Sequence, residues 1–190
     1  MAFEALNQFN LVGGTALALQ FWHRISVDLD FFTEEAFDVT RLKNEFIQTF
    51  SEEHIIWQLE KERTLLLKLD GIKIDIIHYP YPLIDNLIIE ENIRMLSPKD
   101  IAPMKLGAIA KRGAKKDFFD FYELSQRYSL EEMLQFYQEK FPHTDTSFLL
   151  RALVYFDDAE KHDDPIMIKP YTRNQVKKNI VQQVNQFFER

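Results

Sequence analysis

A change in the pattern of apolar residues near Ser97 constrains the fold more than any other feature of the chain. Before Ser97, short runs of β-branched and aromatic residues are separated by turn-forming residues, a pattern typical of strands. After it, apolar residues recur at helical spacing. The SPKD tetrapeptide indicates a helix start, with Ser97 as N-cap and Pro98 at the first helical position. We therefore predict an α+β head over residues 1–96, followed by a helical C-terminal subdomain over residues 97–190.

The head is predicted to contain short strands interrupted by two helices. The apolar pattern places strands over residues 9–12 and 26–32, and helices over residues 15–22 and 40–53. The stretch HIIWQLEKERTLLLKLDGIKIDIIHY indicates two or three antiparallel strands, the last pair joined by an Asp70-Gly71 turn. In the C-terminal subdomain we expect helices over residues 98–112, 115–128, 130–140, 146–161 and 171–189.

The composition excludes several classes of site and partner. With 190 residues, 46% of them hydrophobic, the chain can bury a sizeable core in one compact domain or two closely joined subdomains. The absence of cysteine excludes disulfides and thiol nucleophiles. A formal net charge of -7 argues against a broad electrostatic interaction with nucleic acid. One local basic cluster remains as a candidate contact, formed by Lys111, Arg112, Lys115 and Lys116.

The chain also lacks the signals that direct a protein to a membrane. No apolar run is long enough to predict a membrane-spanning helix. The first residues, MAFEALNQFN, are polar and acidic where a signal peptide would be basic and then apolar. We therefore expect a cytoplasmic protein without a membrane partner.

The segment LVGGTALALQFW places two adjacent glycines between a predicted strand and a predicted helix. At such a junction the free N–H groups of the first helical turn and the helix dipole can bind an anion, and the missing side chains let a phosphate approach the backbone. The Thr15 hydroxyl can add a further donor. The pattern matches neither a dinucleotide-binding fingerprint nor a P-loop, and a tight turn is the alternative. We expect Gly13, Gly14 and Thr15 to form a phosphate cradle.

Three aspartates interrupt apolar strand patterns. Asp28 and Asp30 are two residues apart in a predicted strand, so both carboxylates should project from one face and require a cation to offset their repulsion. Oxygen ligands of this kind suit Mg²⁺ or Mn²⁺. Asp75 alternates with Ile74 and Ile76 in the KIDII stretch. If its strand pairs with the first, three carboxylates converge, as two-metal nucleotidyl transfer requires. The alternative is that these carboxylates simply face solvent.

Five blocks occur in order over residues 9–128: GGTALAL, HRISVDLDFF, KIDII, KLGAIAKR and KDFFDFYEL. Together they resemble the AbiEii/AbiGii toxin family of abortive-infection nucleotidyltransferases, within the DNA polymerase beta-like nucleotidyltransferase superfamily. The resemblance implies a mixed sheet flanked by helices, a helical C-terminal part, and a role as the toxin of a toxin–antitoxin or phage-defence system. Carried over by position, the superfamily mechanism assigns the glycine pair and Thr15 to the phosphates. It assigns Asp28 and Asp30 to two divalent ions, and Asp75 as the third acid.

Two cations align on the first helix of the C-terminal subdomain. Lys105 and Arg112 are seven residues apart on one face, with a small residue between them, so they could clamp a triphosphate. Lys105 is the best candidate for this contact. Arg24, in the loop before the predicted D-x-D strand, is a second candidate for a phosphate contact, whereas His23 beside it is as consistent with a simple loop contact.

The following helix carries Asp117 and Asp120 among bulky aromatic residues. Asp117 can orient Lys105 or act near the acceptor. The family resemblance marks both aspartates, and we place Asp117 with the catalytic residues and Asp120 with the nucleotide-binding ones. The alternative for both is the ordinary preference of aspartate for a helix N-terminus.

These residues together predict a metal-dependent nucleotidyltransferase, which moves an NMP from an NTP to an acceptor hydroxyl and releases pyrophosphate. In this hypothesis Asp75 assists deprotonation of the acceptor and Lys105 neutralises the leaving group. A tRNA or a protein hydroxyl is a candidate acceptor, and an antitoxin is the expected protein partner. Two alternatives stay open. One is a small-molecule nucleotidyltransferase similar to the aminoglycoside-modifying enzymes, and the other is a nucleotide-binding module without turnover.

Overall fold

A computed structural model describes residues 3–189, which form seven β-strands and seven α-helices. All seven strands join one mixed sheet, and the regular elements from Pro98 onward are helices. The predicted α+β class with a helical C-terminal part is therefore confirmed. Within this described part, no helix combines the length and the hydropathy needed to cross a membrane.

The strands, in chain order, are β1 (Asn10–Val12), β2 (Leu29–Thr33), β3 (Ile55–Lys61), β4 (Thr64–Leu69), β5 (Ile72–His78), β6 (Ile88–Glu90) and β7 (Ile93–Met95). The helices are α1 (Gly13–Phe21), α2 (Val39–Phe50), α3 (Pro98–Arg112), α4 (Lys115–Leu124), α5 (Leu130–Lys140), α6 (Ser147–Leu153) and α7 (Arg173–Phe188). Helices α3 and α5 have the bounds that the sequence predicted.

The strand order β3-β4-β5-β2-β1-β7-β6 places side by side the three strands around which the predicted site is built, β5, β2 and β1. Strand β2 runs antiparallel to β1 and parallel to β5, while β3, β4 and β5 form an antiparallel meander. In this register Val12 lies opposite Asp30, and Asp30 lies opposite Asp75. The end of β1, where α1 begins, is therefore next to the two aspartates.

Two hairpins depend on residues in the left-handed backbone conformation. Asp70 and Gly71 have φ values of 49° and 83°, which a tight hairpin turn of this type requires, so the predicted turn is confirmed. A second hairpin, which the sequence did not predict, joins β6 to β7 through Glu91 and Asn92, with φ values of 47° and 64°. Asparagine tolerates this conformation and glutamate disfavours it, so the sequence carries only half of the usual signal.

The strand predicted over residues 26–32 is shorter than expected. It begins at Leu29, and Val27, which was expected to face the core, is exposed. Asp28 therefore precedes the strand, and the strand pleat does not set the direction of its side chain relative to Asp30.

The helix predicted over residues 146–161 is wrong in its second half. Helix α6 ends at Leu153, and a separate 3-10 turn follows at Ala159–Lys161. The apolar face that buries the helix ends with Leu153, because the next two residues, Val154 and Tyr155, are exposed. Because these two positions face solvent, the apolar face is interrupted there, and propensity alone does not extend so short a helix.

The chain divides into two compact units, of which the first comprises Met1–Ala16, Ser26–Pro82 and Asn86–Leu96. It contains the sheet and α2, whose Phe46 is buried. Its core includes the strand residues that alternate with the aspartates and lysines of the central strands, namely Phe31, Leu65, Leu67, Ile74 and Ile76.

The second unit comprises Leu17–Ile25, Leu83–Asp85 and Ser97–Arg190. Helix α3 packs against α4, α5 and α6, and α7 packs against the same three helices. As predicted, Ser97 caps α3 by accepting a hydrogen bond from the backbone N–H of Asp100. The core is built from apolar residues on the facing sides of these helices, among them Ile101, Leu106, Leu124, Met133, Leu153 and Ile180.

Asp100 ties a loop of the second unit to the start of α3. Its carboxylate is fully buried, and Oδ1 accepts hydrogen bonds from the Ile84 backbone N–H and from Lys140 Nζ, both at 2.8 Å. Oδ2 accepts from the Asp85 backbone N–H at 3.1 Å and from the Ser97 hydroxyl at 2.8 Å. One buried charge thus fixes two loop residues, a helix cap and a lysine from α5.

We expect Asp100→Ala to lower the free energy of unfolding by about 3–5 kcal/mol, because it removes the counter-ion of the buried Lys140 ammonium. Equilibrium denaturation in urea measures the loss. Asp163→Ala makes the same substitution at an exposed position of the same unit and serves as the control, with an unchanged midpoint. A wild-type midpoint for Asp100→Ala would show that this carboxylate does not hold the unit together.

Candidate functional site

The turn between β1 and α1 brings backbone close to a carboxylate. Gly13 has a φ of 69°, which residues with side chains rarely adopt, and a Cβ added there would lie 2.7 Å from Asp30 Oδ2. Gly14 does not share the positive φ, so Gly13 is the constrained member of the pair. Because α1 begins at Gly13, the N–H groups of its first turn lack partners within the helix. The turn can therefore offer backbone donors to an anion beside Asp30, and its use as a phosphate cradle stays a prediction.

Thr15 holds the segment that precedes β2. Its buried hydroxyl donates to the backbone carbonyl of Asp28 and shares a 2.9 Å hydrogen bond with Ser26 Oγ. A hydroxyl has one proton to donate, so a phosphate contact by Thr15 would require the bond to Asp28 to break. In this structure Thr15 positions the backbone at Asp28, a role that the sequence did not predict.

Asp30 and Asp75 lie side by side on the parallel strands β2 and β5. Each is half-buried, whereas their strand neighbours Phe31 and Ile76 are buried on the opposite face. Residues in register on paired strands share a face, so the two carboxylates project on the same side of the sheet. The strand pairing on which the sequence-based site depended is therefore present.

The two carboxylate oxygens of Asp75 have different surroundings. Oδ2 accepts a hydrogen bond from Lys73 Nζ at 2.5 Å, whereas Oδ1 is buried and has no hydrogen-bond partner among residues 3–189. Leaving such an atom unsatisfied costs about 1–3 kcal/mol, and more for a charged group, so a cation or donor from outside the chain is favoured at Oδ1. Lys73 was not predicted from the sequence, although its position two residues before Asp75 places both on one strand face.

A divalent cation fits these carboxylates. Mg²⁺ prefers oxygen ligands and is usually bound by one or two carboxylates together with waters and substrate phosphates. Within the described residues, no three histidine or acidic side chains are grouped as a metal site. Asp28 precedes β2, so its membership of the predicted set with Asp30 and Asp75 stays a prediction. The structure brings together the two members that lie on strands, Asp30 and Asp75.

In the second unit, Asp120 is the centre of a buried group of charges. Its Oδ1 accepts from Arg24 Nε at 2.6 Å and lies 2.8 Å from His23 Nε2. Its Oδ2 accepts from Arg24 Nη2 at 3.0 Å and from Lys105 Nζ at 2.6 Å. Burial favours the neutral acid, but Lys105 and the hydrogen bonds from His23 and Arg24 outweigh it and hold the pKa of Asp120 well below its usual range. This carboxylate is therefore ionised at neutral pH.

Asp117 joins the same group through Lys105. Its Oδ1 accepts from Lys105 Nζ at 3.0 Å and from Arg112 Nη2 at 2.9 Å, and its Oδ2 accepts from Arg112 Nε at 2.8 Å. Burial opposes the charge on Asp117, but the two cations lower its pKa. Burial likewise disfavours the charged form of Lys105, but Asp120 and Asp117 raise its pKa above the ordinary value.

These ion pairs involve the cations that the sequence predicted to contact the triphosphate, namely Arg24, Lys105 and Arg112. Lys105 is buried with both carboxylates around its ammonium, and Arg24 is buried against Asp120, whereas the Arg112 side chain is 54% exposed. The contact between Asp117 and Lys105, which the sequence offered as one alternative, is present. Both aspartates are fully buried in ion pairs, which the helix dipole alone does not explain. The nucleotide-site roles of these five residues stay predictions.

The chain is similar to several known proteins. The family model described as Nucleotidyl transferase AbiEii toxin, Type IV TA system, matches residues 2–186. Uncharacterized protein aq_aa25 of Aquifex aeolicus (strain VF5) is 38% identical over 194 aligned residues, which cover 97% of this chain and 86% of that protein.

Two solved structures share the fold at low sequence identity. JHP933 from Helicobacter pylori has a TM-score of 0.57 and 17% identity, with 99% of this chain and 88% of that chain covered. MenT4, the nucleotidyltransferase toxin Rv2826c from Mycobacterium tuberculosis H37Rv, has a TM-score of 0.54 and 13% identity, with 97% of this chain and 76% of the MenT4 chain covered. These likenesses support the nucleotidyltransferase-type fold that the sequence predicted.

The buried charges of the second unit allow a test of what Lys105 does. We expect Lys105→Ala to lower the free energy of unfolding by about 3–5 kcal/mol, because two buried carboxylates lose a shared cation. Lys111→Ala, on an exposed position of the same helix, is the control and should change stability by less than about 0.5 kcal/mol. If Lys105→Ala is as stable as the parent in chemical denaturation and only binds nucleotide more weakly, Lys105 presents its ammonium to a ligand, as the sequence predicted.

Proposed function

This chain belongs to the AbiEii nucleotidyl transferase toxin family, and on that premise we propose that it moves an NMP from an NTP to an acceptor hydroxyl with release of pyrophosphate. The observation that carries the proposal is the turn at Gly13, whose backbone lies against Asp30, which is itself in register with Asp75. Backbone donors for an anion and two carboxylates for a divalent cation are thereby neighbours. Metal-assisted transfer of a phosphoryl group can use both.

The first turn of α1 is proposed to hold the triphosphate. Backbone N–H groups at Gly13 and Gly14 donate to phosphate oxygens, and the positive end of the helix dipole favours the negative charge. Because Gly13 has no side chain, the Asp30 carboxylate has room to lie against the backbone of this turn. Thr15 fixes the segment that carries Asp28.

Asp30 and Asp75 are proposed to hold a Mg²⁺ or Mn²⁺ ion, with Asp28 as the third carboxylate. Such an ion neutralises charge on the phosphoryl oxygens and lowers the pKa of a hydroxyl bound to it. Asp75 contributes through Oδ1, because Oδ2 already accepts a hydrogen bond from Lys73. The sequence suggested two roles for Asp75, a place in the cation site and deprotonation of the acceptor, and we propose the first.

The proposed transfer forms one bond and breaks one. The acceptor oxygen bonds to the α-phosphorus, the bond from that phosphorus to the bridging oxygen breaks, and pyrophosphate leaves with the electron pair. The acceptor proton passes to solvent. The chain contributes positioning and electrostatic stabilisation rather than a covalent intermediate, as in other phosphoryl transfers. Neutralisation of the leaving group by Lys105 stays a prediction of the sequence.

We further propose that the chain is the toxin of a toxin–antitoxin or abortive-infection pair that acts in the cytoplasm. Membership of a family of type IV toxin–antitoxin systems supports an antitoxin as partner and an NTP as substrate. The proposed acceptor is a hydroxyl of tRNA or of a protein, and the charge of -7 for the whole chain means that a nucleic acid would need a local contact.

Incubation of the purified protein with each labelled NTP, Mg²⁺ and a cell extract tests the proposal. We expect one macromolecular species to become labelled, and Asp30→Asn or Asp75→Asn to abolish labelling because each removes a charge from the cation site. Asp70→Asn makes the same chemical change in an exposed turn of the same unit and should label normally. Absence of labelling with every NTP would argue against transferase activity, and a labelled small molecule would favour the aminoglycoside-type alternative.

The turn at Gly13 can be tested by adding one methyl group. We expect Gly13→Ala to lower kcat/KM for the NTP about 10- to 100-fold, because the new Cβ displaces the Asp30 carboxylate and the backbone conformation becomes strained. Gly107→Ala in α3, where the added Cβ would lie 3.9 Å from the Tyr137 ring, is the control and should retain wild-type activity. Circular dichroism confirms that both variants fold. Wild-type kcat/KM in a folded Gly13→Ala variant would show that the close approach has no catalytic consequence.

A further inference from the structure

The ammonium group of Lys73 contacts Asp75, one of the two carboxylates of the proposed metal site. Its ammonium is 2.5 Å from Asp75 Oδ2, and both side chains project from one face of β5 because they are two residues apart. The Lys73 side chain is 42% exposed and that of Asp75 is 14% exposed, so the lysine reaches solvent while the carboxylate is largely covered. The proposed transfer mechanism gives this lysine no role beyond its hydrogen bond to Asp75.

The pair leaves the two oxygens of Asp75 unequal. Oδ2 is occupied by the ammonium, and Oδ1 is buried without a hydrogen-bond partner among the described residues. Asp75 can therefore offer one oxygen, and not two, to a cation as long as Lys73 stays in place. The strand register sets Asp30 beside it on β2.

The number of oxygens that a carboxylate offers affects which cation it prefers. Mg²⁺ requires a compact octahedral shell, to which a carboxylate usually contributes a single oxygen. Ca²⁺ takes six to eight oxygens at longer distances and readily binds both oxygens of one carboxylate. A side chain that blocks one oxygen of Asp75 therefore disfavours Ca²⁺ more than Mg²⁺ or Mn²⁺.

We propose that Lys73 is a positioning residue, which restricts Asp75 to one ligand oxygen and thereby gives the site its preference for Mg²⁺ or Mn²⁺ over Ca²⁺. This inference rests on the cation site of the proposed function. Lys73 also places a positive charge beside the cation, which weakens the binding of every divalent ion alike. The two effects are separable, because the charge shifts all affinities together while the blocked oxygen shifts their ratio.

Lys68 provides a matched control for the charge. It lies directly opposite Lys73 on β4, so the two lysines share a face of the sheet. The residue opposite Asp75 on β4 is Leu66, so Lys68 is two residues away from that position. Lys68→Met and Lys73→Met remove the same charge and the same donor from neighbouring strands. Only Lys73→Met frees Asp75 Oδ2.

The experiment titrates the full-length protein with Mn²⁺ alone, without nucleotide, and follows free Mn²⁺ by electron paramagnetic resonance. Ca²⁺ is then added as a competitor. We expect Lys73→Met to bind Mn²⁺ more tightly and to shift the Ca²⁺-to-Mn²⁺ affinity ratio about tenfold toward Ca²⁺, whereas Lys68→Met shifts that ratio less than about twofold. Lys73→Arg keeps a cationic donor at the position and should restore the wild-type ratio.

Each contrary outcome has a distinct meaning. If Lys73→Met shifts the Mn²⁺ and Ca²⁺ affinities equally, or if Lys68→Met has the same effect, Lys73 acts only as a charge and the inference is overturned. If the wild-type protein binds no Mn²⁺, or if Asp75→Asn binds it as tightly as wild type, the cation site itself fails. In that case the proposed function loses its metal as well.

Discussion

Two carboxylates side by side on parallel strands repel each other, and the candidate site depends on how that repulsion is relieved. Asp30 and Asp75 are in register, and their apolar neighbours on the same strands are buried on the opposite face. One oxygen of Asp75 is neutralised by Lys73, while the other is buried and unsatisfied by residues 3–189. The chain thus compensates part of the negative charge by itself. The remaining negative charge favours a divalent cation, which in turn can bind a phosphate-bearing substrate.

The second unit treats its buried charges in the opposite way. Asp120 and Asp117 each accept several hydrogen bonds from cationic side chains, and Lys105 bridges them. Both carboxylates have lowered pKa values and stay ionised, because the cations outweigh the penalty of burial. Such a self-compensated group is costly to disrupt and contributes stability as long as both signs are present. This contrast supports a chemical role for the strand carboxylates and a structural contribution from the buried group.

The parts of the structure that local patterns determine were predictable from the sequence. The Asp70-Gly71 turn, the cap at Ser97 and the alternation of Asp75 with buried isoleucines each depend on residues close in the chain. The ion pair of Lys73 with Asp75 is equally local, and its spacing of two residues on one strand is a signal from which it could have been predicted. The family resemblance supplied the functional assignment, which no single motif could have supported.

Features that depend on packing between distant segments could not be predicted in this way. The packing of α3 against α4 places the Lys105 ammonium between two buried carboxylates. The residues next to Lys105 on α3 do not indicate whether its ammonium faces these carboxylates or a ligand. His23 is buried against Asp120, which is 97 residues away in the chain. Strand β2 begins only at Leu29, so Asp28 lies outside it. The residue pattern alone does not determine this boundary.

The most direct measurement is a crystal structure of the protein with Mn²⁺ and a non-hydrolysable NTP, with the ion located by anomalous scattering. We expect an ion bound to Asp30 and to Oδ1 of Asp75, with the triphosphate on the backbone of the turn at Gly13. An ion at other residues, or a triphosphate bound away from that turn, would contradict the assignment of nucleotidyl transfer to these strands.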